Sequence, residues 1–316
     1  MTGVGKQGGT ILFHSEVSDK AWPIELQKAF PEFRVCTQLS DAVPTDVVAA
    51  VVWNPPPGMF EALTGLRLIQ VLGAGVDKFL SDDRLPKGVP IARLVDPGLT
   101  ARMTEYVLMH SLALHRQMPD LQRAQREHRW TFIHPTPPER TCIGILGLGV
   151  LGTSCARALT SAGFTVVGWS RSRKEGLDFP SYAGLEELDQ FKQQADIIVL
   201  LLPLTRETED LVDESFLATV KSGAALINVG RGKLVVDNAL IRALDAGLLR
   251  HAILDVFRTE PLPFDHPFWD HPKITITPHN SSATNPATAL DQVIVNIRRA
   301  LAAEPLQHQV DPAHGY

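Results

Sequence analysis

Three glycines with short, fixed spacing separate an apolar run from a helical pattern in the second half of the chain. Gly147, Gly149 and Gly152 follow the run CIGIL and precede TSCARALTSAG. In a strand-turn-helix unit, the first glycine permits a tight turn, the second lets the backbone approach a pyrophosphate, and the third allows close helix-strand packing. The helix N-terminus supplies oriented N–H donors to the same anion. The pattern therefore predicts a dinucleotide-binding loop that includes Val150 and Leu151.

Strand-like runs alternate with helical patterns on both sides of this loop. The second half contains six such runs, TCIGILGLG, FTVVGWS, ADIIVLLLP, AALINVG, HAILDVF and ITITPH. The first hundred residues show the same alternation, with the runs TILFHS, DVVAAVVW and LRLIQVLG. Strands that alternate with helices are typical of parallel sheets. We therefore predict an α/β fold with two Rossmann-like domains.

The length of the chain and the position of its last helical pattern predict how these domains are divided. A chain of 316 residues is longer than one typical core requires. A long helical pattern over residues 101–130 separates the two strand series, and the pattern over residues 285–303 has no later strand to support. We predict a dinucleotide-binding domain over residues 101–284. It is inserted into a discontinuous substrate-binding domain over residues 1–100 and 285–316.

Charge and cysteine content exclude several classes of function. The formal net charge of -5 gives no general attraction for nucleic acid or for an anionic membrane, and a local basic patch is the alternative that it leaves open. Three cysteines without a CxxC pair fit neither a disulfide framework nor a structural zinc site. Since no apolar run is long enough to span a bilayer and the N-terminus lacks the pattern of a signal peptide, we expect a cytoplasmic protein.

The histidines give no indication of a metal site. His110, His115, His251 and His271 lack a carboxylate or cysteine partner at metal-ligand spacing, so roles in the core or at the surface are favoured. We expect no catalytic metal.

A basic turn follows the second strand-like run of the dinucleotide-binding domain. NAD enzymes normally carry an acidic residue there for the ribose 2'-hydroxyl, but this chain has Ser170-Arg171-Ser172-Arg173-Lys174. Cationic and hydroxyl donors suit a 2'-phosphate, which favours NADP over NAD. A solvated surface turn is the alternative interpretation.

Polar residues follow three further strand-like runs, where ligands of α/β proteins bind. They lie in Asn228-Val229-Gly230-Arg231-Gly232, in Leu254-Asp255-Val256-Phe257 with Glu260-Pro261-Leu262, and in Thr277-Pro278-His279. Together with the glycine loop, these strings resemble the D-2-hydroxyacid dehydrogenase family over nearly the whole chain. The segment Trp53-Asn54-Pro55-Pro56 and the basic turn are similar to the glyoxylate/hydroxypyruvate reductase A branch.

The resemblance implies a catalytic trio of Arg231, Glu260 and His279. Reduction of a keto acid independently needs a carboxylate anchor, a group that polarises the keto oxygen and a proton donor. Arg231 can serve as anchor and polariser through its fork of donors, and His279 as the proton donor. Glu260 is expected to orient the His279 ring and favour its protonated form. Singly, each residue could instead be a surface ion-pair or capping residue.

Further contacts follow from the same resemblance. Asp255 is expected near the nicotinamide amide, although structural capping explains it almost as well. The other expected cofactor contacts are Leu202, Pro203, Val229, Gly230, Arg231 and His279. Substrate contacts are expected from Gly73, Ala74, Gly75 and Val76, which grip the carboxylate, from Trp53, which covers a small substrate, and from Arg231 and His279. Trp53 could instead only pack between strands.

The function implied is NADPH-dependent reduction of glyoxylate or hydroxypyruvate to glycolate or D-glycerate by a homodimeric oxidoreductase. A broader 2-keto acid reductase, or a D-2-hydroxyacid dehydrogenase working in the oxidative direction, is the first alternative. A dinucleotide-sensing corepressor that binds partner peptides is the second. The expected partner is a small 2-keto acid, with neither nucleic acid nor membrane involved.

Overall fold

The computed structural model describes residues 8–16 and 20–311. The Cα positions cluster into two units, one reaching Leu99 and resuming at Thr284, and the other running from Thr100 to Ala283. Residues 1–7, 17–19 and 312–316, which belong to the predicted substrate-binding domain, lie outside the described residues. The assignment of the first unit to the substrate and the second to the cofactor stays a prediction.

Twelve β-strands lie within the described ranges, and every pairing between them is parallel. They are β1 (Thr10–Ser15), β2 (Arg34–Cys36), β3 (Val47–Trp53), β4 (Leu68–Val71), β5 (Ile91–Ala92), β6 (Cys142–Leu146), β7 (Thr165–Ser170), β8 (Ser181–Ala183), β9 (Ile197–Leu200), β10 (Ala224–Asn228), β11 (Leu249–Leu254) and β12 (Ile274–Ile276). One sheet has the order β2-β1-β3-β4-β5 and the other the order β12-β11-β10-β9-β6-β7-β8. The predicted class of two parallel α/β sheets is confirmed.

The described residues also form nine α-helices. They are α1 (Ala21–Ala29), α2 (Asp77–Leu80), α3 (Pro97–His115), α4 (Met118–Arg126), α5 (Val150–Ser161), α6 (Leu188–Gln194), α7 (Glu214–Ala218), α8 (Asp237–Asp245) and α9 (Pro286–Leu301). Within this part of the chain, none of them has the length and apolar character needed to cross a membrane.

The helical pattern over residues 101–130 proved to be two helices. The first starts earlier than expected, at Pro97, where the Asp96 carboxylate accepts hydrogen bonds from the N–H groups of Gly98 and Leu99 at 3.1 and 2.9 Å. The break follows from Gln117, which adopts a left-handed conformation with a φ of 54° between α3 and α4. Apolar spacing continues through such a break, so periodicity alone does not reveal it.

Each sheet buries both of its faces. In β9, Ile197 and Val199 pack into one apolar cluster, whereas Ile198 and Leu200 pack into another on the opposite side. This is the reason why parallel strands appear in the sequence as continuous apolar runs. In the first unit, α9 packs against α1 and β4, and its buried residues include Val293.

The strand order of the larger sheet fixes where its loops meet. β6 lies between β7 and β9, so the chain reverses its direction of progress across the sheet beside β6. Ligands of open α/β sheets bind at such a switch point, outside the carboxyl ends of the strands. The loops that follow β6, β7, β9, β10, β11 and β12 all leave from this edge because the strands are parallel.

Candidate active site

The glycine loop makes the tight turn expected of it. Gly147 has a φ of 111°, a region that residues with a side chain rarely adopt, and a Cβ atom there would lie 2.7 Å from the Leu201 carbonyl carbon. Its N–H donates to the carbonyl of Trp169 in β7 at 2.8 Å. This bond connects the loop to the adjacent strand, so Gly147 is required by both conformation and packing.

The other two glycines differ in what surrounds them. A Cβ atom on Gly152, in the first turn of α5, would lie 1.9 Å from the carbonyl oxygen of Gly147, so helix and loop touch there. A Cβ atom on Gly149 would meet nothing within 4 Å. The space at Gly149 adjoins the α5 N-terminus, where backbone N–H groups favour an anion, so this loop fits a dinucleotide pyrophosphate. Val150 is 53% exposed and Leu151 half-buried beside it.

The basic turn after β7 divides into two parts. The Ser170 hydroxyl is buried and donates to the Ser172 carbonyl at 2.8 Å, which fixes the start of the turn. Arg173 forms an ion pair with Glu187 at 2.5 Å and donates to the Ser181 carbonyl at 2.9 Å. Arg173 therefore ties the turn to β8, a structural role that the sequence did not indicate.

Arg171 and Lys174 complete the turn on its exposed side. The pKa of Glu207, in the loop after β9, is lowered first by a hydrogen bond from Thr205 and further by the nearby charge of Arg171. The loops after β7 and β9 therefore approach one another, and the glycine loop after β6 lies between their strands. The role of Arg171 as a phosphate ligand stays a prediction.

The loop after β10 positions Arg231 through the buried Asn228 side chain. The Asn228 amide accepts from the Gly230 N–H at 3.2 Å and donates to the Arg231 carbonyl at 2.9 Å. The Arg231 guanidinium donates to the Gly230 carbonyl at 2.8 Å. A Cβ atom on Gly232 would lie 1.9 Å from the Phe257 carbonyl carbon, so the loops after β10 and β11 are in direct backbone contact.

The loop after β11 supports His279 through Glu260. One Glu260 oxygen accepts from the Phe257 N–H at 2.9 Å, and the other lies 2.8 Å from His279 Nδ1. The side chains of His279 and Glu260 are 35% and 25% exposed, so a small molecule can reach the ring. With Nδ1 held by a carboxylate, Nε2 is the ring nitrogen that faces away from the pair and can donate a proton.

Asp255 is fully buried at the end of β11. Its carboxylate accepts from the Thr277 hydroxyl at 2.6 Å, from the Asn280 N–H at 3.0 Å and from the Ser281 N–H at 2.9 Å. The Asp255 side chain thus holds the loop that carries His279. Of the two roles expected for Asp255, the structural one is visible in this geometry, and the cofactor contact stays a prediction.

The remaining cofactor candidates lie at the same edge of the sheet. Leu202 and Val229 are buried, whereas Pro203 is exposed and its carbonyl accepts from the Thr208 hydroxyl at 2.7 Å. The Val229 N–H donates to the Leu200 carbonyl at 3.3 Å, which keeps the loop after β10 beside β9. Leu202 and Val229 can therefore form apolar walls around a bound ring, while Pro203 faces solvent.

The substrate candidates of the first unit are also in mutual contact. A Cβ atom on Gly73 would lie 2.3 Å from the Trp53 ring, so this ring packs directly on the backbone of the loop after β4. Ala74 and Gly75 are half-buried, and Val76 is buried at the start of α2. The packing places Trp53 beside the predicted carboxylate loop.

Two polar residues that the sequence did not suggest hold the Trp53 loop. Asn54 adopts a left-handed conformation with a φ of 48°, its amide N–H donates to Glu16, and its carbonyl accepts from Lys78 Nζ at 2.8 Å. Lys78 lies in α2, directly after the carboxylate loop. Its position one turn past a small-residue loop is the signal that could have identified it.

The described ranges contain no cluster of three His, Cys, Asp or Glu side chains that could hold a metal ion. Arg231, Glu260 and His279 are connected through the contact of Gly232 with Phe257 and the hydrogen bond of Phe257 to Glu260. A guanidinium fork on the loop after β10 and a carboxylate-supported imidazole on the loop after β12 can bind an anionic carbonyl compound and transfer a proton to it.

Comparisons with known proteins agree with this geometry. Residues 108–281 match the family model described as D-isomer specific 2-hydroxyacid dehydrogenase, NAD binding domain. The glyoxylate/hydroxypyruvate reductase A of Yersinia enterocolitica is 38% identical over 312 residues, which cover 97% of this chain and 99% of the relative. The namesake protein of Serratia proteamaculans is 39% identical over the same length and shares of each chain.

Solved structures give the same result over the full length. A D-isomer specific 2-hydroxyacid dehydrogenase from Xanthobacter autotrophicus, in complex with NADPH and MES, has a TM-score of 0.92 at 42% identity. The match covers 98% of this chain and 100% of that one. An NADPH-dependent glyoxylate/hydroxypyruvate reductase from Sinorhizobium meliloti, in complex with NADP and sulfate, has a TM-score of 0.90 at 33% identity, with the same coverage.

Proposed function

Because the chain belongs to the D-isomer specific 2-hydroxyacid dehydrogenase family, we propose that it reduces glyoxylate and hydroxypyruvate to glycolate and D-glycerate with NADPH. The observation that carries this proposal is the pairing of His279 Nδ1 with Glu260 at 2.8 Å, at the ligand-binding edge of the sheet that contains the glycine loop. The names of the relatives from Yersinia and Sinorhizobium support the substrate class.

NADPH fits the residues of the second unit and, when bound, supplies a hydride. The pyrophosphate would lie over Gly149, where the structure leaves space, with Gly147, Val150, Leu151 and Gly152 forming the turn. The ribose phosphate would be met by the turn Ser170–Lys174, above all by Arg171. The nicotinamide end would be bordered by Leu202, Pro203, Val229, Gly230, Arg231, Asp255 and His279.

His279 serves as the proton donor in this proposal. As negative charge develops on the keto oxygen, the protonated imidazole transfers its Nε2 proton to that oxygen. Glu260 fixes the ring orientation by accepting from Nδ1 and stabilises the positive charge of the imidazolium before transfer. The ring regains a proton from solvent, since the His279 side chain is 35% exposed.

Arg231 anchors and polarises the substrate. Its planar guanidinium can donate to the carboxylate and to the keto oxygen at once, which a point charge does less well. In the first unit, backbone N–H groups of Gly73, Ala74, Gly75 and Val76 are proposed to bind the carboxylate. Trp53, packed on Gly73, is proposed to limit the length of the acid.

The test is a panel of 2-keto acids with NADPH and NADH, applied to the purified protein. We expect glyoxylate and hydroxypyruvate to be the best substrates, with NADPH preferred, and Arg171→Ala to weaken that preference because a charge-assisted contact contributes about 1.5–3 kcal/mol. His279→Ala should lower kcat by about 10²–10⁴ with NADPH affinity nearly intact. Comparable efficiency with NADH, or an active His279→Ala enzyme, would contradict the assignment.

The same panel separates a broader reductase and a corepressor-like protein from the proposed enzyme. A broader reductase would accept phenylpyruvate as well as glyoxylate, and a corepressor-like protein would bind the dinucleotide without turnover. The relatives named above are reductases and dehydrogenases, so the corepressor alternative gains no support from them.

We also propose a cytoplasmic location and a homodimeric assembly. We place the protein in the cytoplasm, where the free thiols Cys36, Cys142 and Cys155 stay reduced. A homodimer is supported by exposed apolar side chains on and after α3, among them Met109 and Leu112 at 51% and 41% exposure. Sedimentation at several concentrations tests the dimer.

A further inference from the structure

A chain of side-chain hydrogen bonds runs beneath the loop that carries His279. Its centre is the buried Asp255 carboxylate, which accepts from the Asn280 and Ser281 N–H groups at 3.0 and 2.9 Å, directly after His279. The same carboxylate accepts from the Thr277 hydroxyl at 2.6 Å, two residues before His279. One buried carboxylate therefore fixes the backbone on both sides of the proton donor.

This chain of hydrogen bonds continues to helix α3 through Tyr106. The Tyr106 hydroxyl lies 2.6 Å from Thr277 Oγ1. An ionised carboxylate only accepts hydrogen bonds, so Thr277 gives its single proton to Asp255 and its oxygen must accept from Tyr106. The direction of every donor is thereby determined, from the phenol through the threonine to the carboxylate.

The surroundings keep Tyr106 in the form that can donate. Tyr106 is 8% exposed, and desolvation raises the pKa of its phenol, so the hydroxyl retains its proton at neutral pH. The ring of His110 contacts that of Tyr106 at a centroid distance of 4.3 Å, and burial lowers the His110 pKa, which keeps this imidazole neutral. The charge that orients these hydrogen bonds is therefore that of Asp255.

His279 needs this support because of its backbone conformation. Its φ of 51° lies in the left-handed region. This conformation is unfavourable for any residue that has a side chain, so surrounding contacts must offset its free-energy cost. The His279 N–H donates to the carbonyls of Asp255 and Thr277 at 2.8 and 3.0 Å. Both acceptors belong to residues of the hydrogen-bonded chain, so loss of the chain would allow the loop to relax.

We propose that Tyr106 and Thr277 are positioning residues that hold His279 in its left-handed conformation and so place its ring for proton transfer. Both side chains act on His279 through the Asp255 carboxylate. The inference rests on the proposed function, in which His279 is the proton donor, and it adds a residue of α3, 171 positions before Thr277, to the determinants of the rate.

Hydroxyl-deleting variants test the proposal against a matched control. Tyr106→Phe and Thr277→Val each remove one hydroxyl of the chain while conserving most of the side-chain volume, and Thr277→Ser restores the donor. Thr275→Val is the control, because Thr275 lies two residues earlier, in β12, and its hydroxyl contacts His251 at 2.9 Å instead. Steady-state kinetics with glyoxylate and NADPH separates kcat from KM.

We expect kcat to fall about 10- to 100-fold in Thr277→Val and about 3- to 10-fold in Tyr106→Phe, with KM changed less than about twofold, since a displaced proton donor affects the transition state. Thr277→Ser and Thr275→Val should stay within about twofold of wild type. If Tyr106→Phe and Thr277→Val keep wild-type kcat, or if Thr275→Val loses as much, the proposal is overturned. Should Thr277→Val not fold, Tyr106→Phe decides.

A second readout does not depend on turnover. In the histidine-labelled enzyme without ligands, the imidazole resonance of His279 is assigned by its loss in His279→Gln. Its chemical shift should change in Tyr106→Phe and Thr277→Val but not in Thr275→Val. An unchanged chemical shift in both Tyr106→Phe and Thr277→Val would overturn the positioning role. A wild-type enzyme that reduces neither keto acid would refute the proposed function, whereas the resonances would still report on positioning.

Discussion

Replacement of Gly149 by alanine should separate cofactor binding from folding. Gly149 has backbone angles of φ -81° and ψ -166°, an extended conformation that alanine adopts without strain. The added methyl would meet nothing within 4 Å, so the unliganded protein has room for it. A dinucleotide bound at the α5 N-terminus would leave no room for the methyl group, because its pyrophosphate has to approach the Gly149 backbone closely.

The magnitudes follow from these two environments. A compatible Gly→Ala change stabilises by about 0.4–1 kcal/mol through the unfolded chain, whereas alanine is the poorer N-cap residue by a similar amount. The unfolding free energy of Gly149→Ala should therefore stay within about 1 kcal/mol of wild type, or about 2–4 °C in Tm. Loss of one or more charge-assisted hydrogen bonds should weaken NADPH binding roughly 10- to 100-fold.

Gly152→Ala provides the contrasting variant. Its methyl would lie 1.9 Å from the Gly147 carbonyl oxygen, which is backbone and cannot rotate away, so overpacking should cost about 3 kcal/mol or more. Thermal unfolding and a fluorescence titration with NADPH measure both quantities. If Gly149→Ala binds NADPH as tightly as wild type, or unfolds as early as Gly152→Ala, the assigned role of the loop is wrong.

Three further outcomes are expected. Arg231→Lys should lose about 100-fold in kcat/KM despite its charge, since an ammonium does not span carboxylate and keto oxygen; near-normal kinetics would place the anchor elsewhere. Trp53→Ala should raise the phenylpyruvate-to-glyoxylate efficiency ratio about 10-fold, and an unchanged ratio would show that the ring does not limit length. Burial lowers the His251 pKa from 6.5 to about 4, so the unfolded chain binds the proton first as the pH is lowered. The free energy of unfolding should therefore decrease by up to about 3 kcal/mol as the pH falls from 6.5 to about 4. His251→Gln should reduce this dependence in urea unfolding; an identical slope would contradict it.

The parts of the fold that depend on local sequence could be predicted. Continuous apolar runs identified the long strands, and the spacing of Gly147, Gly149 and Gly152 located the loop between β6 and α5, because turn and packing requirements act within a few residues. The strands β2, β5 and β8 have only two or three residues each, too few to show any period. They are defined by pairing with distant strands instead.

The residue types of the candidate site could be predicted from the sequence, whereas most contacts between its residues could not. The family resemblance of the strings around Arg231, Glu260 and His279 implied a catalytic trio, and the structure connects their loops through Phe257. Their catalytic roles stay a prediction. Nothing in the sequence links Tyr106 to Thr277, since the contact depends on how α3 packs. Likewise, Arg173 has the charge expected of a phosphate ligand, but its pairing with Glu187 depends on β8, a strand the sequence did not show.

The transfer of deuterium from NADPH to C2 of the substrate is a direct test of the proposed reaction. The purified enzyme is incubated with hydroxypyruvate and NADPH carrying deuterium at the transferable C4 position, and the product is analysed by mass spectrometry and chiral chromatography. We expect D-glycerate with one deuterium at C2, formed by wild type and about 10²–10⁴ times more slowly by His279→Ala. Unlabelled glycerate, the L-enantiomer, or no product from the wild-type enzyme would contradict hydride transfer from NADPH to hydroxypyruvate.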